Sequence, residues 1–134
     1  MGTAHRCPNE PMMLAIVEDD DDVRLALSRL LRAMGHQVKL FTSAEDFEAH
    51  GAGVDCAVVD VRLPGLSGLD LRERQRDRIP SIPIVLMTGC CDRISGDVAA
   101  DTPVILKPLD DAGLMAAIGV AISAQAAARG RHAR

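Results

Sequence analysis

Four short apolar runs rich in β-branched residues punctuate this chain, at positions 14–17, 56–59, 84–87 and 104–106, and each is too short to be a helix. Runs without polar alternation belong to strands buried on both faces, which is the pattern of a parallel sheet. Parallel strands cannot be joined by tight turns, so each pair needs a long crossover between its members. A fifth, weaker run at 37–41 alternates less cleanly and suits a sheet edge.

The segments between the runs supply the crossovers. Val23, Leu27, Leu30, Leu31 and Met34 recur at helical spacing, and Gly35 stands where a left-handed residue would end the helix. Ser43 as N-cap, with Asp46 three residues on, starts a second helix that carries Phe47 and is ended by Gly51 and Gly53. Leu66, Leu69 and the charged stretch 72–78 make a third, closed by Pro80. The last starts at Asp110 or Asp111, presents Leu114, Ile118, Ala121 and Ile122, runs to about residue 127 and stops near Gly130. Between Asp92 and Ala100, Gly96 and sparse apolar periodicity predict only a short or irregular fourth helix.

Strands alternating with helices imply right-handed crossovers and a doubly wound α/β fold, since five units are too few to close a barrel. The 134 residues suit one domain, expected over 13–128, with a flexible extension at 1–12 and a solvated Arg-rich tail at 129–134. No fused output domain is expected.

The net charge is −4, and five acids are consecutive from Glu18 to Asp22, which disfavours a nucleic-acid partner. The stretch 72–78 interleaves Glu73 and Asp77 with its arginines and reads as a solvated helix face. No apolar run has the length of a membrane span or a signal peptide, so a cytoplasmic location without membrane contact is expected. Cys7, Cys56, Cys90 and Cys91 show no C-x-x-C spacing and read as reduced thiols without an assigned function.

In doubly wound sheets, ligands bind beyond the carboxyl ends of the strands. The residues there are Glu18 and Asp19 after the first strand, Asp60 after the third, Thr88 after the fourth and Lys107 after the fifth. Asp20, Asp21 and Asp22 fit the N-cap and first turn of the first helix, where negative charge is favourable. Glu18 and Asp19 lie too early for capping and converge on Asp60. Three crowded carboxylates need a cation or raised pKa values, and a hard divalent ion such as Mg²⁺ suits a site that phosphate oxygens would complete. Asp60 is then a nucleophile able to accept a phosphoryl group, and Thr88 offers a hydroxyl to the phosphoryl oxygens. Lys107, one of only two lysines, offers a compact ammonium.

These residues resemble the receiver domains of bacterial two-component response regulators over about 13–127. The likeness rests on Ile16-Val17-Glu18-Asp19-Asp20, the segment Val-Val-Asp60-Val-Arg-Leu-Pro-Gly-Leu-Ser-Gly, Met87-Thr88-Gly89 and Leu106-Lys107-Pro108, in the family's order. The resemblance implies a flavodoxin-like sheet of order 2-1-3-4-5. It implies phosphoryl transfer to Asp60 from a sensor histidine kinase or phosphotransfer protein, with Mg²⁺ held by Glu18, Asp19, Asp60 and the backbone carbonyl of Arg62. Thr88 would be the switch hydroxyl, Lys107 the phosphate contact, and Lys107-Pro108 a cis peptide. Arg62 and Cys90 fall where similar proteins tune phosphoryl lifetime.

The output would be switched binding of a downstream protein by a monomer or weak dimer. Chemistry would go no further than self-phosphorylation from small donors and self-dephosphorylation. Two departures stand out: 88–107 is shorter than usual, and Val104 replaces the customary Phe or Tyr. An interaction module independent of phosphorylation is the alternative. A phosphatase passing through an aspartyl phosphate would need a second acid where Arg62 stands, and a nucleotide binder would need a Gly-rich loop after the first strand.

Overall fold

A computed structural model describes residues 10–78, 81–89, 102–107 and 110–132, with side chains in the last helix described as far as Ala127. The elements run β1 (Met13–Val17), α1 (Asp21–Ala33), β2 (Gln37–Phe41), α2 (Ala44–His50), β3 (Cys56–Asp60), α3 (Gly68–Arg76), β4 (Ile84–Thr88), β5 (Val104–Leu106) and α4 (Asp111–His132). The five strands form one sheet in the order β2-β1-β3-β4-β5, with every neighbouring pair parallel. This is the α/β doubly wound topology expected. The segment 92–100, for which a short or irregular helix is expected, lies outside the described residues, as do Cys90, Cys91 and Pro108.

Side chains alternate between two apolar layers because successive strand residues point to opposite faces. On one face Leu14, Ile16, Val58 and Met87 pack against Leu27 and Leu31 of α1 and Leu114 and Ile118 of α4. On the other, Val17, Val59 and Leu86 meet Phe47 of α2 and Leu71 of α3. Phe41 and Phe47 stand edge to face there, with centroids 5.4 Å apart. The central strands β1, β3 and β4 are thus covered on both faces, as unbroken apolar runs require.

The helix starts follow from the side chains that cap them. Asp20 accepts from the N–H groups of Asp22 and Val23, and Ser43 accepts from that of Asp46. Ser67 and Asp70 form a reciprocal capping box on α3. Each such cap is worth about 1 kcal/mol.

Four expectations need correcting. β5 is not a buried strand: Val104 is 40% exposed and Leu106 65%, because β5 is an edge strand and only Ile105 packs into the core. The stretch 72–78 is not wholly solvated, since Arg72 and Gln75 are buried. The Arg72 Nε–H donates to Thr102 Oγ1, and the Ile82 N–H donates to Gln75 Oε1 at 3.1 Å, so these polar groups bond to the chain flanking β4. The helix α4 continues through Gly130 to His132, where a single glycine, costing about 1 kcal/mol, is not enough to stop it. Packing begins before residue 13: Met12 is buried in the core, its N–H donates to His36 Nδ1 at 3.1 Å, and its carbonyl accepts from the Gln37 N–H at 2.9 Å.

Candidate functional site

Because all five strands are parallel, their carboxyl ends lie along one edge of the sheet, and the crossover direction reverses between β1 and β3. Glu18, Asp19 and Asp60 meet in that crevice. One carboxylate oxygen from each of the three lies within 4.8 Å of the others. Glu18 and Asp60 are buried, whereas Asp19 is exposed.

Glu18 is held on every side. Its N–H donates to the Phe41 carbonyl at 3.0 Å, its Oε2 accepts from the Asp20 N–H at 3.2 Å, and its carbonyl accepts from the Arg24 guanidinium at 2.9 Å. Asp60 Oδ1 accepts from the Arg62 N–H at 3.1 Å. Lys107 closes the cluster, donating from Nζ to Glu18 Oε1 at 2.9 Å and to Asp60 Oδ2 at 3.1 Å. Its own N–H donates to the Thr88 carbonyl at 2.9 Å, which ties the end of β5 to β4. Thr88 is buried at the end of β4, and its hydroxyl donates to the Gly89 carbonyl at 3.2 Å.

The electrostatics follow from crowding acids in a place with little water. Burial, then the hydrogen bond shared with Asp60, pushes the Glu18 carboxyl up to about 7 despite the opposing pull of Lys107. Burial alone would lower the Lys107 pKa, but its bonds to Glu18 and Asp60 outweigh that and hold it above the ordinary lysine value. Three oxygen donors, one of them disinclined to ionise alone and two already drawing on an ammonium, are a donor set suited to a hard divalent cation.

Residues 14–119 match the family described as the response regulator receiver domain. The chain belongs to this family. Among curated relatives, the receiver domain is 36% identical to the transcriptional regulatory protein FixJ of Azorhizobium caulinodans, with 92% of this chain and 60% of that protein aligned. It is 32% identical to the response regulator protein TmoT of Ectopseudomonas mendocina, covering 91% of this chain and 57% of TmoT. The chain therefore spans about three-fifths of the length of these relatives. The response regulator StyR superimposes with a TM-score of 0.75 at 32% identity, over 90% of this chain and 63% of StyR. FixJ-N superimposes with a TM-score of 0.69 at 31% identity, over 85% of this chain and 95% of FixJ-N. Among the described residues, no helix of the receiver domain is long and apolar enough to cross a membrane.

Sequence reasoning missed three residues that shape the receiver site. Arg24 braces Glu18 from the first helix. Glu45, at the start of α2, accepts from the Leu66 N–H at 2.9 Å and so pins the loop that follows Asp60; that bond lowers its pKa. Gly68 brings the start of α3 against Asp60: a Cβ there would lie 2.2 Å from the Asp60 carbonyl oxygen. The i, i+3 pairing of Asp21 with Arg24 was readable, but the reach of Arg24 to a backbone carbonyl was not. The close approach at Gly68 is a tertiary contact with no local signature.

Proposed function

We propose that this receiver domain accepts a phosphoryl group on Asp60 from a phosphohistidine of a sensor kinase or phosphotransfer protein. Mg²⁺ would be held by Glu18, Asp19, Asp60 and the backbone carbonyl of Arg62. The observation that carries the reading is the convergence of three carboxylates and one ammonium at the carboxyl ends of β1, β3 and β5.

When bound, Mg²⁺ supplies charge neutralisation for the transferring oxygens. The rest falls to the chain. A carboxylate oxygen of Asp60 attacks phosphorus, the P–N bond of the phosphohistidine breaks, and the imidazole leaves with the bonding pair. The product is an acyl phosphate. Lys107 already donates to Asp60 Oδ2, so a small motion transfers its ammonium to a phosphoryl oxygen. The Thr88 hydroxyl, now on the Gly89 carbonyl, would leave it to donate to another phosphoryl oxygen and so act as the switch. Arg62 is exposed beside Asp60, where its side chain would govern how readily water reaches the acyl phosphate.

The function is accordingly a phosphorylation switch for protein partners and not repeated turnover of a substrate. A cytoplasmic setting fits such a kinase partner.

The experiment is exposure of the protein to a small acyl phosphate with Mg²⁺ or with chelator. One phosphoryl group per chain, added only with the metal, is expected. Equal labelling in chelator would remove the metal from the reading.

A further inference from the structure

Five consecutive acids run from the turn between β1 and α1 into the first turn of the helix, yet two of them, Glu18 and Asp19, must be held in one fixed place. Val17 and Phe41 are the last paired residues of β1 and β2; beyond them the chain leaves the sheet. At that point the Glu18 carbonyl receives its bond from Arg24, at 2.9 Å. The same guanidinium pairs with the Asp21 carboxylate, so a single side chain ties the end of the strand to the start of the helix. Its side chain is only 14% exposed, against 80% for Asp21. Among the described residues, Arg32, near the other end of α1, makes an exposed 3.4 Å contact with the Val38 carbonyl.

We infer that Arg24 is a positioning residue of the metal and phosphoryl-acceptor site, holding the β1–α1 turn so that Glu18 and Asp19 face Asp60. The inference rests on the reading of that site given under Proposed function. Arg24 acts through the Glu18 main chain and leaves the carboxylate of Glu18 to Lys107 and the cation.

Geometry and charge make opposite predictions here. A guanidinium on the main chain of one ligand residue adds positive charge beside the site and repels an incoming cation, so on charge alone its removal tightens Mg²⁺ binding. As a brace, its removal loosens the ligand set and weakens binding, on the order of tenfold for partners that orient ligands.

The test is a Mg²⁺ titration of wild type and Arg24→Met at one pH and ionic strength, well below the unfolding temperature of either. Metal-free unfolding of both is followed in parallel. Weaker binding by about tenfold in a folded Arg24→Met is expected. Unchanged or tighter binding overturns the inference, including the case where only the unfolding midpoint falls. Should Arg24→Met not fold, Arg24→Lys keeps the charge without the two-pronged reach. It should still bind more weakly, and wild-type affinity overturns the inference. Asp60→Asn and Asp19→Asn separate this inference from the site itself. If they weaken Mg²⁺ binding while the Arg24 variant does not, only the brace is wrong; if neither weakens it, the site reading fails and takes the brace with it.

Discussion

The Lys107 ammonium lies 3.1 Å from Asp60 Oδ2, reaching past β4 from the edge strand to the centre of the sheet. With its second bond, to Glu18, it is the countercharge of two buried carboxylates. Lysine and an incoming cation therefore compete for the same oxygens.

Lys107→Ala should bind Mg²⁺ no more weakly than wild type, and more tightly by several-fold if competition dominates. The same variant should be less stable without metal at pH 8, because two buried carboxylates, Glu18 and Asp60, lose their half-buried countercharge. Calorimetric titration and metal-free melting check both halves. Loss of Mg²⁺ binding in Lys107→Ala would mean that the lysine organises the site and does not compete for it.

The pH dependence follows from Glu18. Its carboxyl is held up to about 7 in the fold, against an ordinary 4.5. Between those values the folded chain keeps a proton that the unfolded chain has released, so raising pH favours unfolding. Stability from this group is present below about 4.5 and lost as pH climbs through about 7. Metal-free unfolding followed across that window should show the decline, and Glu18→Gln should flatten it. Apparent Mg²⁺ affinity should rise over the same range, because the ion must displace that proton. A metal-free stability that rises over this interval would contradict the assignment.

Two glycines make a contrasting pair. At Gly68 an added methyl would meet the Asp60 carbonyl, which is backbone and cannot swing aside. Gly68→Ala should cost about 1–3 kcal/mol and disturb Mg²⁺ binding as well. At Gly119, within α4, a Cβ would find nothing within 4 Å, so Gly119→Ala should stabilise by about 0.5–1 kcal/mol and leave the site unchanged. Chemical unfolding of both variants, with Mg²⁺ titrations, checks the contrast.

The central sheet was legible because burial on both faces leaves an unbroken apolar run, as at 14–17 and 84–87, and because the caps at Asp20 and Ser43 are local chemistry. Glu18 and Asp60 of the candidate site were legible for the related reason that each stands directly after such a run, with Asp19 next in line. What was not legible depends on contacts between distant parts of the chain. Arg72 looks like one more solvated arginine until Thr102 is brought beside it from the other side of β4. The exposure of β5 could not be read from Val104, Ile105 and Leu106, since an apolar edge strand and an apolar central strand are spelled alike. Glu45 carries no sign of its role until the loop after β3 folds back to place the Leu66 N–H on it.

Val104 bears on output. It is 40% exposed on the edge strand, and no ring stands there to swing between buried and exposed positions in response to the proposed movement of Thr88. Conformational change at Thr88 therefore has little packing to drive at this edge. The protein carrying a beryllofluoride mimic should stay mostly monomeric at micromolar concentration while residues around Thr88 shift. Tight dimerisation by light scattering, abolished by changes on α4, would show that the edge switches without an aromatic.

The most direct measurement is intact-mass analysis with peptide mapping after treatment with a small acyl phosphate and Mg²⁺, in wild type and Asp60→Asn. One base-labile phosphoryl group is expected on the peptide containing Asp60 in wild type, and none in Asp60→Asn. Undiminished labelling of Asp60→Asn, or a phosphoryl group mapped to another residue of the wild type, would contradict the assignment to Asp60.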